Sequence, residues 1–167
     1  MQKGVRNRYL DENPAAEPVI DQIFSNKTPA MMLKARGVGL ITFYSQEGKI
    51  KLFADKNGPV IPHLKIVHAY PFILKRMTVD PPAIPHILNG ANCMAPGLLK
   101  PESSMEECEK DEVVAIYGAG KQHAIAIGIT KMSSAEIRQA GTGMAIEMLH
   151  YCGDGIWAMG NEDLQSA

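Results

Sequence analysis

The sequence predicts an α+β fold built from a basic N-terminal module and an acidic, mostly β C-terminal module. Charge is the first observation: residues 1–77 contain twelve Lys and Arg against six Asp and Glu, whereas residues 78–167 contain five against twelve. The second is a series of short Val- and Ile-rich segments separated by glycine and proline, a pattern typical of small β-rich domains. The third is the stretch from Val79 to Gly97, which has the pattern of a short amphipathic helix that stops at a glycine and opens into a loop. We therefore predict domains over residues 1–77 and 78–167.

Helices are predicted to open the N-terminal module, and strands to follow them. Gln2 to Leu10 is weakly helical, and apolar residues at helical spacing predict a second helix between Ala15 and Phe24. Three strands are predicted, at residues 31–33, 39–44 and 50–54. Glu47-Gly48 indicates a hairpin turn between the last two strands. A short helix is then predicted between Pro62 and Tyr70.

The C-terminal module is predicted to be a small β-barrel with short helices. A helix starts at Pro81 or Pro82 and ends at Asn89-Gly90, where glycine favours a left-handed cap. Four strands are predicted, at residues 112–117, 123–129, 144–150 and 155–159. The first two are joined by a turn at residues 118–121, and a single helical turn begins at Ser133 or Ser134.

Composition narrows the class of protein. A hydrophobic share of 46% and a charged share of 21% are ordinary for a globular protein. No apolar run approaches the roughly 18 to 20 residues that a membrane helix needs. The N-terminus lacks the apolar segment of a secretory signal. Three cysteines are too few for a disulfide framework, so we expect reduced thiols and a cytoplasmic location without membrane contact.

Catalytic and metal-binding arrangements are not indicated by the sequence. The five histidines and three cysteines include no pair at the spacing of structural zinc ligands, so we expect no metal and no cofactor. Gly118 to Gln122 only superficially matches a phosphate-binding loop, because Ala115 replaces its first glycine and Gln122 replaces the Ser or Thr that would hold a metal. We therefore predict that the protein is not an enzyme.

The glycine-rich segments allow two interpretations each. Asn89 to Asn92 could simply end a helix, or it could form a smooth surface with two amides against which a nucleic-acid backbone lies. Residues 118–122 could be a plain hairpin turn, or a turn that also presents Lys121 to a phosphate. The sequence alone does not choose between a structural and a functional role for either segment.

Specific motifs resemble a PUA domain, and more closely the malignant T-cell-amplified sequence family of translation-machinery-associated proteins. The matching residues of the second half are Val79-Asp80, Ala83-Ile84, Gly90-Ala91-Asn92, Met94, Pro96-Gly97, Gly120 to Ala124, Lys131 to Ser133, Gly141, Gly143, Glu147, His150-Tyr151, Asp154-Gly155 and Trp157. The first half resembles that family's pre-PUA domain through Gly58-Pro59, Pro62, Leu64, His68 and Tyr70 to Leu74. The resemblance covers nearly the whole chain.

The resemblance implies a fold and a function. The fold is an N-terminal pre-PUA α/β domain followed by a C-terminal PUA pseudo-β-barrel, the former expected to lack its first strand because family members have about one more strand before Lys3. The function is that of a non-catalytic translation factor that binds small ribosomal subunit RNA through the PUA domain. It would act with a density-regulated protein partner in reinitiation, in non-standard initiator tRNA delivery and in post-termination recycling, with tRNA as a further candidate ligand.

The same resemblance places the RNA contacts beside the first helix of the PUA domain. The expected RNA-binding residues are Asn89, Gly90, Ala91, Asn92, Met94, Pro96, Gly97, Lys121, Gln122 and Lys131. Because the C-terminal module is acidic, we expect these contacts to depend on backbone amides and a few lysines, with a shallow dependence on salt.

Two alternative functions stay open. PUA domains often target RNA-modification enzymes, so the chain could be an accessory or enzyme acting on tRNA or rRNA. That function needs a catalytic Asp or Cys in the N-terminal half, where Asp11, Asp21 and Asp55 have no recognisable partners and no cysteine precedes Cys93. The third possibility is an adaptor that binds only proteins.

Overall fold

The computed structural model describes residues 1–36 and 39–159, which form two compact units, Met1–Ile73 and Leu74–Trp157. Both units combine helices with a sheet, so the predicted α+β class is confirmed. Within the described ranges, the helices are all too short or too polar to span a bilayer.

Unit 1 contains helices followed by an antiparallel four-stranded sheet in the order β1-β2-β3-β4. Its elements are α1 (Gln2–Glu12), a 3-10 helix (Pro14–Val19), α2 (Ile20–Ile23), β1 (Ala30–Arg36), β2 (Leu40–Gln46), β3 (Lys49–Asp55), β4 (Ile61–Pro62), α3 (Leu64–Ala69) and a 3-10 helix (Pro71–Ile73). The predicted hairpin turn is confirmed, since Glu47 and Gly48 have φ values of 53° and 72°. Two consecutive left-handed residues match the twist of a tight hairpin.

The predicted helix between Ala15 and Phe24 is divided in the structure. Pro18 lies inside the 3-10 helix, and regular α-helix begins only at Ile20. Proline has no N–H to donate to the preceding turn and its ring crowds the carbonyl four residues earlier. The predicted helix is therefore a 3-10 helix that contains Pro18, followed by a short α-helix, and the apolar stripe is buried at Ile20, Ile23 and Phe24.

Unit 2 is built on a six-stranded sheet in the order β6-β10-β9-β8-β5-β7. Its elements are β5 (Lys75–Val79), a 3-10 helix (Pro81–Ala83), α4 (Ile84–Leu88), β6 (Cys93–Met94), a 3-10 helix (Ala95–Leu98), β7 (Ser104–Met105), β8 (Val113–Gly118), β9 (Ala126–Thr130), α5 (Ser134–Ala140), β10 (Met144–Tyr151) and α6 (Gly155–Ala158). Strands β5 and β8 are parallel, and the other pairs are antiparallel.

The parallel pairing of β5 changes the division of the chain. The boundary expected after residue 77 falls inside β5, whose residues pair one by one with β8 from Lys75 to Val79. A strand that forms a ladder inside one sheet cannot also be a linker between two domains. The structure therefore divides the chain between Ile73 and Leu74.

Alternating apolar residues of the sheet, together with α4 and α5, form the core of unit 2. Met77, Ile87, Ile116, Ile137 and Ile146 all belong to this cluster and are at most 2% exposed. The predicted cap of the second helix is confirmed, because the Ser133 hydroxyl accepts the Glu136 N–H at 3.1 Å. The helix that follows, α5, is longer than the single turn that was expected.

The strand predicted at residues 155–159 is instead the short helix α6. The Asp154 carboxylate accepts the main-chain N–H of Trp157 at 2.7 Å. A side-chain acceptor three residues before a free N–H starts a helical turn rather than an extended strand. The predicted strand was wrong because Asp154 caps a helical turn, and the apolar residues 156 and 157 lie within that turn.

Candidate nucleic-acid interface

The candidate surface begins where helix α4 ends. Gly90 has a φ of 85°, so the predicted left-handed cap is confirmed. The N–H groups of Asn89, Gly90 and Ala91 all donate to carbonyls of the helix, with the Gly90 bond to Ile87 at 3.0 Å. These three amides therefore already have acceptors in the helix, as the helix-end interpretation of this turn requires. What this turn offers to a ligand is a smooth, fixed shape.

Strand β10 holds the segment from Asn89 to Gly97, which we call the glycine segment. A Cβ atom built on Gly90 would lie 3.1 Å from the Tyr151 ring, so the glycine lies directly against that ring. The side-chain amide oxygen of Asn92 (Oδ1) accepts the main-chain N–H of Met148 at 2.9 Å. A bulge between Met148 and His150 turns both Met148 and Tyr151 towards the core, which brings them under the glycine segment.

The second half of the glycine segment is held at both ends by hydrogen bonds. Met94 pairs with Met144, and the Ala95 N–H donates to the Gly143 carbonyl at 2.9 Å. The Gly97 carbonyl accepts two hydrogen bonds, from the Asp80 N–H at 3.0 Å and from the Ser103 hydroxyl at 2.7 Å. Gly97 thus joins the segment to the start of the helical region, which is a structural role.

The connection between β8 and β9, residues 119–125, lies beside α4. The Lys121 N–H closes a turn onto the Gly118 carbonyl at 3.0 Å. A Cβ on Gly118 would lie 2.5 Å from the end of the Ile84 side chain and 3.1 Å from the Lys121 Cγ. The Cys152 N–H donates to the Ile125 carbonyl at 2.9 Å, next to Tyr151. Helix α4, this turn and the end of β10 therefore meet at one place.

The ten expected contact residues are only partly brought together. Those with exposed side chains are Asn89, Ala91, Asn92, Met94, Pro96, Lys121 and Gln122. Lys121 and Gln122 precede β9, whereas Lys131 follows the other end of that strand. Lys131 also forms an ion pair with Glu147 at 3.1 Å. The structure thus puts Lys121 next to Gly118 and near Ile84 at the start of α4, and Lys131 beyond the far end of β9.

Asp154, which the sequence analysis named as part of a matching motif and not as a site residue, positions the end of β10. Its carboxylate accepts the Tyr151 N–H at 2.9 Å and contacts the His150 ring nitrogen at 2.7 Å. Burial opposes ionisation of this carboxyl, but hydrogen bonds from His150 and from the Trp157 and Tyr151 main chain outweigh burial and hold its pKa below the ordinary value. The ionised carboxylate thereby fixes the strand end that carries the Tyr151 ring.

The described residues do not offer an obvious reactive centre near this surface. Burial, together with the charge of Asp80, raises the pKa of the Cys93 thiol to about 12, so the thiol stays protonated and is a poor nucleophile. Over residues 1–36 and 39–159, no three His, Cys, Asp or Glu side chains are grouped so that they could hold a metal ion.

Both halves of the chain match known domain families. The family described as "elF2D, PUA domain" matches residues 74–155, and the "Pre-PUA-like domain" matches residues 1–71. A hypothetical protein from Pyrococcus horikoshii has the same fold, with a TM-score of 0.74 and 21% identity over 93% of this chain and 92% of that one. A conserved PUA domain protein from Thermoplasma acidophilum has a TM-score of 0.67 and 22% identity over 93% of each chain.

Fold and family matches together define a pre-PUA domain followed by a PUA domain. Malignant T-cell-amplified sequence 1 of Rattus norvegicus is 38% identical over 94% of this chain and 85% of its own length. Translation machinery-associated protein 20 of Schizosaccharomyces pombe is 35% identical over 94% of this chain and 86% of its own length. The chain belongs to the malignant T-cell-amplified sequence family.

Replacing Gly90 by alanine tests the contact with Tyr151. Gly120→Ala is the matched control, because Gly120 has a similar φ of 76° but no atom within 4 Å of the added Cβ. Both variants carry the cost of a left-handed alanine, about 1 to 2 kcal/mol. Gly90→Ala also crowds the ring, so we expect it to lower the free energy of unfolding by about 1 kcal/mol more than the control. Equal losses in urea denaturation would show that the ring contact is unimportant.

Asp154→Asn tests the charge at the end of β10. A carboxyl whose pKa is lower in the folded state stabilises the fold above its unfolded pKa of about 3.9 and loses that effect as the pH falls through the folded value. We expect the variant to be less stable by about 1 kcal/mol at pH 7, since hydrogen bonds to a charged acceptor are lost. The difference from the wild type should shrink at acidic pH. A pH-independent difference in urea denaturation would contradict this assignment.

Proposed function

We propose that this protein is a non-catalytic RNA-binding component of the translation machinery that binds the small ribosomal subunit through its PUA domain. The observation that carries the proposal is the exposed glycine segment, held rigid by β10 and flanked by the cation of Lys121. Recognition of folded RNA depends largely on shape and on contacts to phosphates, which a rigid and smooth surface supplies at little entropic cost. One of the relatives that match almost the whole chain is named translation machinery-associated protein 20.

Side chains, rather than main-chain amides, are proposed to make the polar contacts. The Asn89 and Gln122 amides are exposed and reach outward from the two sides of the surface. Met94 is 50% exposed and adds an apolar contact that tolerates an uneven partner surface. Because few of these groups are charged, binding depends on salt less steeply than in a basic RNA-binding protein.

The N-terminal unit is proposed to bind the density-regulated protein partner. Strand β1 is the edge of its sheet, and an edge strand can pair with a further strand. Met31 and Met32 on this strand are 59% and 42% exposed, and Lys34 and Arg36 are exposed beside them. With this partner, we propose roles in reinitiation, in non-standard initiator tRNA delivery and in post-termination recycling in the cytoplasm.

The contacts of the N-terminal acids favour the non-catalytic role over an RNA-modification enzyme. Asp21 is bound to Arg6 at 2.7 Å and has a side chain that is 74% exposed. Asp55 accepts the Lys56 N–H at 2.6 Å at the end of β3. Carboxylates that serve a surface ion pair or a turn, with no nucleophile or base beside them, are poor candidates for a catalytic acid or nucleophile.

Charge reversal of the two lysines tests the proposed surface. We expect Lys121→Glu combined with Lys131→Glu to weaken co-sedimentation with purified small ribosomal subunits by at least about tenfold, because each reversal replaces attraction to phosphate with repulsion. Lys121→Glu alone should cause most of the loss, since Lys131 is already paired with Glu147. Melting temperatures should be almost unchanged.

The matched control is Lys100→Glu combined with Lys110→Glu, which changes the net charge equally at exposed positions outside the surface. This control should retain wild-type co-sedimentation. Two results would oppose the proposal: undiminished co-sedimentation of the Lys121 and Lys131 variant, or an equal loss in the control, which would reveal a non-specific charge effect.

A further inference from the structure

Three of the seven Lys and Arg side chains of unit 2 are neutralised by glutamates of the same unit. Residues 74–157 contain seven Lys and Arg against ten Asp and Glu. Three of the cations form ion pairs with glutamates: Lys75 with Glu112 at 3.0 Å, Lys131 with Glu147 at 3.1 Å and Arg138 with Glu107 at 2.6 Å. Within the described part of the chain, neither Arg76 nor Lys121 forms an ion pair. These two cations are therefore available to an external anion.

The same two residues are in contact with each other. An Arg76 guanidinium N–H donates to the main-chain carbonyl of Lys121 at 3.5 Å. Arg76 lies on β5 and Lys121 on the connection between β8 and β9, so the parallel pairing of β5 with β8 brings them together. The Lys121 side chain runs along the α4 side of Gly118, whereas Arg76 lies on the side of Tyr117. One cation thus stands on each side of the turn.

Arg76 is held in one orientation although it is exposed. Its guanidinium carbon lies 3.9 Å from the centre of the buried Tyr117 ring, a cation–π contact. Its Nε donates to the Thr78 hydroxyl at 3.4 Å. A guanidinium has five N–H donors, and two are used in these weak hydrogen bonds. The remaining donors and the outer face of the plane are presented to solvent in a preorganised position.

One carboxylate lies close to this arginine. Glu106 accepts the main-chain N–H of Arg76, so it is bound to the backbone and not to the guanidinium. Its negative charge reduces the local positive potential without occupying the guanidinium donors. Removing the Glu106 charge should therefore strengthen the binding of an anion, whereas removing the Arg76 charge should weaken it.

We propose that Arg76 is a phosphate-binding residue, and that an RNA strand of the small subunit crosses the turn between β8 and β9 with phosphates on Arg76 and Lys121. This inference rests on the proposed function. Arginine suits such a site because its planar fork of N–H donors matches the oxygens of a phosphate. The proposed Arg76 contact extends the candidate RNA-binding surface from the glycine segment, past the turn between β8 and β9, to β5.

The test compares binding of labelled protein to purified small ribosomal subunits across a range of salt concentrations. We expect Arg76→Gln to weaken binding about tenfold and to reduce the slope of log K against log salt by about 0.7 to 0.9, the value for one lost phosphate contact. Lys110→Gln removes the same charge from an exposed, unpaired position and should leave both quantities unchanged. Glu106→Gln should tighten binding. Arg76→Lys should keep the salt slope but bind more weakly, because lysine lacks the planar fork.

The outcomes separate this inference from the proposed function. If the wild type binds and Arg76→Gln behaves like Lys110→Gln, Arg76 is not a contact, while the proposed function stands. If the wild type itself does not bind the subunit, the proposed function fails and the inference fails with it. A loss of binding by Arg76→Gln together with a collapse of its thermal unfolding transition would also count against a direct contact, unless Arg76→Lys restores the fold and the salt slope.

Discussion

The contact between strand β10 and the glycine segment is the constraint on which the rest of the C-terminal unit depends. The Tyr151 ring occupies the space beside Gly90, where an added Cβ would lie 3.1 Å from it, and the Met148 N–H donates to the Asn92 side chain. These contacts join residues far apart in sequence and fix a turn that has no regular structure of its own. A surface held in this way loses little conformational entropy when a rigid ligand binds. The bulge in β10 that turns both residues inward thus supports the proposed binding surface.

Charge adds to the recognition by shape that we propose, because a few cations of unit 2 are available to phosphate. The proposed phosphate contacts lie in an acidic domain, which is unusual for an RNA-binding module. Glutamates neutralise Lys75, Lys131 and Arg138, whereas Arg76 and Lys121 meet at one turn without an ion pair among the described residues. A small number of well-placed cations gives positional selectivity, whereas a uniformly basic surface would bind any nucleic acid.

Features set by local chemistry could be predicted from the sequence. Asn89-Gly90 indicated a helix cap and Glu47-Gly48 a hairpin, because glycine after a helix or in a tight turn relieves left-handed strain. Features that depend on distant pairing could not. Arg76 lies beside the boundary expected after residue 77, and only the parallel pairing of its strand with β8 places it in the C-terminal unit. The Tyr151 contact requires a bulge that periodicity does not reveal, and only the structure shows that the helix carbonyls already accept the amides of the cap.

Hydroxyl-radical footprinting of the methionines on the bound protein tests the central claim, that the glycine segment faces the small ribosomal subunit. Met94 and Met144 form a cross-strand pair and are 50% and 37% exposed, while Met31 in the other unit is 59% exposed. We expect the subunit alone to protect Met94 and Met144 from oxidation. Met31 should stay reactive until the density-regulated protein partner is added. Full reactivity of Met94 and Met144 in the bound complex would contradict it.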